Sequence, residues 1–178
     1  MKINSKLRLT ALTVALGLAV TFSAHGADSP ESEALAKASV SLPQAIQIAE
    51  KKEPGKTLRG EFGVEKNKGF WEILIFGGQG VKEYRIDGSS GAVIEVEDEH
   101  IRGRITNFVT GMKLNDLENA KTTLIQALST AEKKANGKAV KVNVQHDRGG
   151  ITYDVFVRTA SKTEKVKVDG NTGLPLDH

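Results

Sequence analysis

The apolar side chains fall into groups whose spacing changes from helical to strand-like, and this change occurs twice along the chain. The first helical group has the i, i+3, i+4, i+7 spacing of a helix with one buried face, at Leu42, Ala45, Ile46 and Ala49. Ser41 and Gln44 before it have the form of a capping box. Pro54-Gly55 ends it, so the pattern predicts a helix between these signals.

A period-two pattern follows, which predicts strands. The apolar positions of three successive strands are Leu58, Phe62 and Val64, then Trp71, Ile73 and Ile75, then Tyr84 and Ile86. Asp87-Gly88-Ser89-Ser90-Gly91 then predicts a turn into a short last strand, 92–96. The unit is therefore a helix whose apolar face covers one side of three or four antiparallel strands.

The same unit occurs a second time. A shift of 82 positions aligns Ala49-Glu50-Lys51-Lys52 with Ala131-Glu132-Lys133-Lys134, and aligns Trp71 with Tyr153. The turn at 87–91 aligns with 169–173. One shift that matches a helix, a strand and a turn predicts two copies of one α+β fold.

The repeat sets the predicted domain boundaries. The first module spans 41–97 and the second spans 122–178, each a helix packed on a three- to four-stranded antiparallel sheet. A connector, 98–121, joins the modules, and a loose leader, 27–40, precedes the first one. Residues 1–26 are predicted to form a signal peptide.

The N-terminal segment has the features of a secretory signal. It carries Lys2, Lys6 and Arg8 without an acid, and an apolar run follows at 9–22. Ala24-His25-Gly26 places small residues at positions −3 and −1 of a cleavage site. The apolar run is short for a membrane span, although an uncleaved anchor is the competing interpretation. We therefore expect a periplasmic or secreted protein without a stable membrane anchor after cleavage.

Composition narrows the classes of function. The 178 residues include 25 Lys and Arg against 22 Asp and Glu, a net charge of +3. Cleavage of the signal peptide removes three positive charges, so the remaining chain has no net charge and no basis for binding nucleic acid. No cysteine is present, which excludes disulfides, thiolate metal sites and a cysteine nucleophile.

The motifs of both copies resemble the PepSY domain. The helix SLPQAIQIAEKKEPGK, the strand FWEILI and the turn YRIDGSSGAVI carry this resemblance in the first copy, and LIQALSTAEKKANGK, TYDVFV and VKVDGNTGLPL carry it in the second. This family occurs in propeptides of thermolysin-like metalloproteases and in secreted bacterial proteins. The resemblance implies inhibition or regulation of a peptidase in the cell envelope, and it implies no catalytic residues.

Signals for catalysis, metal or cofactor binding are weak. Gly55-Lys56-Thr57 lacks the first glycine of a phosphate-binding loop and lies between a helix and a strand, in the wrong order. The turn at 87–91 lacks the alternating oxygen ligands and closing Glu of a calcium loop, so an Asp-initiated turn with a left-handed Gly explains it. His100, His146 and His178 do not have metal-site spacing. We predict no catalytic residue, cofactor or metal, and no enzyme activity.

One strand predicts a candidate partner surface. In 70–76, Trp71, Ile73 and Ile75 point towards the helix, which leaves Phe70, Leu74 and Phe76 on the other face of the sheet. These three side chains are either covered by the second copy or by the connector, or they anchor a protein partner.

Two functions follow as alternatives. The first is a non-catalytic protein-binding module that inhibits or regulates an envelope peptidase, with the hairpin Gly77-Gly78-Gln79-Gly80 as a loop able to occlude a cleft. The second is a protein that senses or binds a small ligand or metal ion in a polar pocket between the two copies.

Overall fold

The fold is α+β, with short helices packed on an antiparallel sheet. It was analysed in a computed structural model, which describes residues 29–78, 80–98, 114–147 and 150–176. The predicted signal peptide lies outside these residues. The first half contains α1 (Pro30–Lys37), α2 (Leu42–Lys52), β1 (Gly55–Glu65), β2 (Lys68–Gly77), β3 (Gly80–Asp87) and β4 (Val93–Asp98). The second half contains α3 (Leu114–Glu118), α4 (Leu124–Ala135), β5 (Lys138–Asp147), β6 (Gly150–Arg158), β7 (Thr163–Asp169) and β8 (Pro175–Leu176).

The eight strands form one sheet in the order β4-β3-β2-β1-β5-β6-β7-β8. The first strands of the two halves, β1 and β5, pair antiparallel at its centre, with Gly60 opposite Val142. These two residues correspond under the 82-residue shift, so an approximate two-fold axis relates the halves. Both long helices consequently lie on the same face of the sheet, which we call the helix face, and they share one core.

The residues that the sequence predicts to begin and end the two long helices make the expected capping contacts. In α2, the Gln44 side-chain oxygen accepts the Ser41 backbone N–H at 2.8 Å. In α4, Thr123 and Gln126 form the reciprocal capping pair, and Asn136 ends the helix in the left-handed conformation, with φ of 52°. The predicted stripe of α2 is fully buried: Leu42, Ala45, Ile46 and Ala49. Amphipathic spacing and caps therefore fix both helices.

The expectation of a loose leader at 27–40 is wrong, because the structure contains the helix α1 there. Ser29 caps this helix by accepting the Ser32 N–H at 3.2 Å, and Pro30 occupies its first turn, where the missing N–H costs nothing. Ala34 is buried against the core. The predicted connector likewise contains the short helix α3, in the position that corresponds to α1 after the 82-residue shift.

The halves repeat individual hydrogen bonds as well as elements. The Trp71 indole N–H donates to the Val40 carbonyl at 2.9 Å, and the Tyr153 hydroxyl donates to the Thr122 carbonyl at 2.6 Å. Glu50 accepts the Thr57 hydroxyl at 2.8 Å, as its equivalent Glu132 accepts a backbone N–H of β5 at 2.9 Å. Each aromatic residue therefore ties the segment before a long helix to the sheet.

The bond from Tyr153 gives a testable prediction. Tyr153→Phe should lower the free energy of unfolding at neutral pH by about 1–2 kcal/mol, because the Thr122 carbonyl loses its buried donor. Burial raises the pKa of Tyr153 to about 12, so the unfolded chain ionises first above its ordinary value of 10. The native protein should therefore lose stability as the pH rises from 10 towards 12, and Tyr153→Phe should reduce this loss. Urea unfolding across this range measures both effects, and equal alkaline slopes in the two proteins would contradict the assignment.

Candidate functional site

The predicted partner surface lies on the face of the sheet opposite the helices, which we call the reverse face. Phe70 and Leu74 are only 8% and 5% exposed, and Phe76 is half-buried. The Phe70 ring lies over Gly63, where a Cβ would be 2.6 Å from it, and the Arg85 guanidinium lies 4.0 Å from the ring centroid. Phe70 and Leu74 are therefore covered, and of the three side chains Phe76 has the largest exposure. Their role as partner anchors stays a prediction.

Charged side chains surround these apolar residues. Arg85 lies 3.1 Å from Glu65, 3.4 Å from Glu72 and 3.6 Å from Glu95. Across the centre of the sheet, Lys141 of the second half lies 2.8 Å from Glu61 of the first. Such partly exposed pairs contribute little to stability individually, so their main effect is to make the reverse face polar.

The hairpin between β2 and β3 is the second predicted feature. Its tip projects from the sheet, since a Cβ added at Gly78 or Gly80 would meet no atom within 4 Å. Gly80 has φ of 111°, a conformation that side chains rarely adopt, while Gln79 lies outside the described residues. The tip thus has the free space that a loop entering a cleft requires.

The two Asp turns are structural. Asp87 Oδ1 accepts the Ser89 and Ser90 hydroxyls at 2.6 and 2.8 Å and their backbone N–H groups at 3.0 and 2.8 Å. These bonds, the Ser89 hydroxyl first, hold the pKa of Asp87 far below its usual range. In the second turn the Thr172 backbone N–H is the main cause that lowers the pKa of Asp169. Gly91 and Gly173 take the predicted left-handed positions, with φ of 74° and 70°.

A groove lies between the two halves, where the alternative function places a ligand pocket, although the local patterns did not predict its lining residues. Its walls are α1 and the segment 38–41 from the first half, and Glu132, the start of β5 and the turn 158–162 from the second half. The cavity has a volume of about 590 Å³, within the range of ligand sites. A neighbouring cavity of about 510 Å³ shares Glu132, 138 and 158–160 with it, so the two form one continuous depression.

Arg158 connects the two walls of this groove. Its guanidinium donates to the Ser32 hydroxyl at 3.3 Å and lies 3.5 Å from the Glu31 carboxylate, both on α1. Its buried Nε has no hydrogen-bond partner. The corresponding residue of the first half is Phe76, so the two ends of the sheet differ in charge although their backbones follow the same pattern. This difference between the two halves is the sequence signal that could have directed attention to Arg158, but no site was predicted from it.

Among the described residues, no group of three or more His, Cys, Asp or Glu has the positions to hold a metal ion. In the same part of the chain, no helix is long and apolar enough to cross a membrane.

The family of the first half follows from comparison with known proteins. Residues 39–97 match the PepSY family model, described as peptidase propeptide and YPEB domain, so this segment is a PepSY domain. No curated protein matches the chain.

Two solved structures are similar over most of the chain. A protein from Clostridium difficile 630, described as a candidate lipoprotein, is 22% identical with a TM-score of 0.48, and the match covers 79% of this chain and 92% of that one. The Bacillus megaterium YpeB C-terminal domain is 16% identical with a TM-score of 0.31, over 78% of this chain and 64% of that one.

The Asp turns predict a specific acid sensitivity. The pKa of Asp169 is lowered below its ordinary value of 3.8, so its stabilising contribution is complete above about pH 5 and is lost as the pH falls through the native pKa. Asp169→Asn should lower the free energy of unfolding at pH 7 by about 1 kcal/mol, a value reduced by solvent exposure, and should flatten the fall below pH 4. Glu118→Gln, which removes an exposed acid that forms no ion pair with a described residue, is the control. An acid transition that Asp169→Asn leaves unchanged would show that the turn does not contribute to it.

Proposed function

We propose that the chain is a non-catalytic, protein-binding module of the cell envelope that inhibits or regulates a peptidase. The observation that carries this proposal is the match of residues 39–97 to the PepSY family, which is described as peptidase propeptide and YPEB domain. The basic, apolar N-terminal segment supports export and a periplasmic or secreted location. The partner is a protein; neither nucleic acid nor a cofactor forms part of the proposal.

We also propose that the second half is a PepSY-type module, so that the chain has modules at 41–97 and 122–178. The hydrogen bonds of Trp71 and Tyr153, and those of Glu50 and Glu132, occupy equivalent positions and support this division. The helices α1 and α3 lie just before these modules, each at the same place before a long helix.

The projecting hairpin at 77–80 provides a means of inhibition. A Cβ added at Gly78 or Gly80 would meet no atom within 4 Å, and the half-buried Phe76 lies at the base of the hairpin. A loop of this kind can enter the cleft of a peptidase while the rigid sheet behind it blocks access of substrate. The apolar ring at the base then contributes contact area next to the cleft.

The proposal is tested with the protein as an expression host exports it. The chain is immobilised, an envelope extract is passed over it, and retained proteins are identified and assayed for peptidase activity with and without added chain. We expect a retained peptidase whose activity falls on addition of the chain. Phe76→Ser should weaken this inhibition about tenfold, because an apolar anchor is removed.

Ile94→Ser is the matched control, since Ile94 is 57% exposed on the edge strand β4, away from the hairpin. Urea unfolding first establishes that both variants remain folded. A chain that retains no peptidase, or retains one without changing its activity, would reject the regulatory function. Equal inhibition by Phe76→Ser and the native chain would reject only the hairpin as its site.

A further inference from the structure

We propose that the groove between α1 and the turn 158–162 binds an extended apolar peptide by its C-terminal carboxylate. This site lies at the end of the sheet opposite the hairpin 77–80. It is therefore independent of the proposed regulation of a peptidase, and either proposal can fail without the other.

The floor of the groove favours an apolar ligand. Trp71, Val40 and Ala139 line it together with Leu35 and Ala38, between walls that come from different halves of the chain. Trp71 is fixed in orientation by its bond to the Val40 carbonyl at 2.9 Å. Trp71 and Ala139 are only 1% and 3% exposed, so the half-buried Leu35, Ala38 and Val40 offer most of the apolar surface to a peptide side chain.

The backbone of one wall favours an extended ligand. The chain leaves α1 at Ala38 with extended angles, φ of −69° and ψ of 124°, and Ser39 after it is exposed. No hydrogen bond within the described residues uses the Ser39 N–H or C=O. A peptide that runs along this wall can pair with both groups as a strand pairs with a sheet edge.

The charges of the groove favour an anion. Lys138 and Lys133 are exposed at its mouth and form no ion pair with a described residue, and Arg158 and Lys162 lie beside them. The one acid in the lining, Glu132, accepts a backbone N–H at 2.9 Å. Glu31 and Glu164 lie behind Arg158 and Lys162 at 3.5 and 3.1 Å, so with Glu132 three carboxylates face the four named cations, and the groove keeps one net positive charge.

The corresponding positions at the other end of the sheet provide a comparison for the groove. At the other end of the sheet, the positions that correspond to Arg158 and Lys162 are Phe76 and Gly80. The two ends share the backbone pattern, yet only one has a guanidinium and a second cation beside the aromatic floor. Lys133 and Lys138 recur at the other end as Lys51 and Lys56, so Arg158 and Lys162 are the cations that distinguish the groove.

The test uses the intrinsic fluorescence of Trp71, which is the single tryptophan of the chain and lines the site. The probe is acetyl-Ala-Val-Leu-Val with a free carboxylate, compared with the same peptide as its C-terminal amide and with decanoate. We expect saturable binding of the acid, with the amide at least about tenfold weaker because it loses a charge-assisted contact. Added salt should weaken the acid more than the amide.

Two variants locate the carboxylate. Lys138→Gln should weaken binding of the acid about fivefold without a change in stability, since Lys138 is exposed. Lys56→Gln, the repeat-equivalent change at the other end, should have no effect. Arg158→Phe, which introduces the residue that the repeat carries at position 76, should abolish the difference between acid and amide.

Each remaining outcome overturns the proposal. Equal affinity for acid and amide would show that the carboxylate is not recognised, and equal loss in Lys138→Gln and Lys56→Gln would show that the groove is not the site. Binding of decanoate as tight as that of the peptide would assign the groove to aliphatic acids. Absence of any fluorescence change at millimolar peptide would reject a ligand site there.

Discussion

The pairing of β1 with β5 is the interaction on which the rest of the structure depends. Taken separately, each half would expose its first strand as an open edge with unpaired N–H and C=O groups. The two edges satisfy each other over 59–61 and 141–143, and the ion pair of Glu61 with Lys141 at 2.8 Å crosses the junction. Gly60 at its centre leaves room for α2, since a Cβ there would lie 2.7 Å from a methyl group of Leu42. The pairing of β1 with β5 thereby joins the hydrophobic cores of the two halves into one core.

The direction of this pairing determines where ligands can reach the chain. Because β1 and β5 run antiparallel, the start of the second half lies at the same end of the sheet as the hairpin 77–80. At the other end of the sheet, the start of the first half lies beside the turn 158–162 of the second half. Each end therefore combines a short helix and the start of a long helix from one half with a long-helix end and a strand turn from the other. The groove at Arg158 arises only from this combination, since neither half contains both of its walls.

Local structure was predictable because short-range physics determines it. The stripe of Leu42 and Ala45, the caps of the long helices and the turns at Asp87 and Asp169 all depend on residues within a few positions of one another. The helix α1 was missed although Ser29 and Pro30 are ordinary start signals, because its single buried residue, Ala34, gives a weak stripe. The groove was beyond a local pattern, since its walls are far apart in the sequence and are brought together by the pairing of β1 with β5 and by the contacts of Arg158 with α1.

Phe70 and Leu74 show why an apolar pattern does not by itself locate a binding surface. Their spacing placed them correctly on the reverse face, but exposure depends on what neighbouring strands put beside them. Gly63 opposite Phe70 makes room for the ring, and the Arg85 guanidinium covers it at 4.0 Å. Strand alternation assigns a side chain to a face, whereas the cross-strand neighbour decides whether solvent reaches it.

Comparison of the two halves separates the residues that build the structure from those available for binding. Trp71 and Tyr153 differ in chemistry but make the same bond, so the fold fixes that position in both halves. Phe76 and Arg158 occupy one position of the repeat and make unrelated contacts, so the backbone does not require either side chain there. At such a position the two ends of the sheet can acquire side chains that suit different partners. One end has an apolar side chain, Phe76, beside the hairpin, and the other has a cation, Arg158, beside the groove.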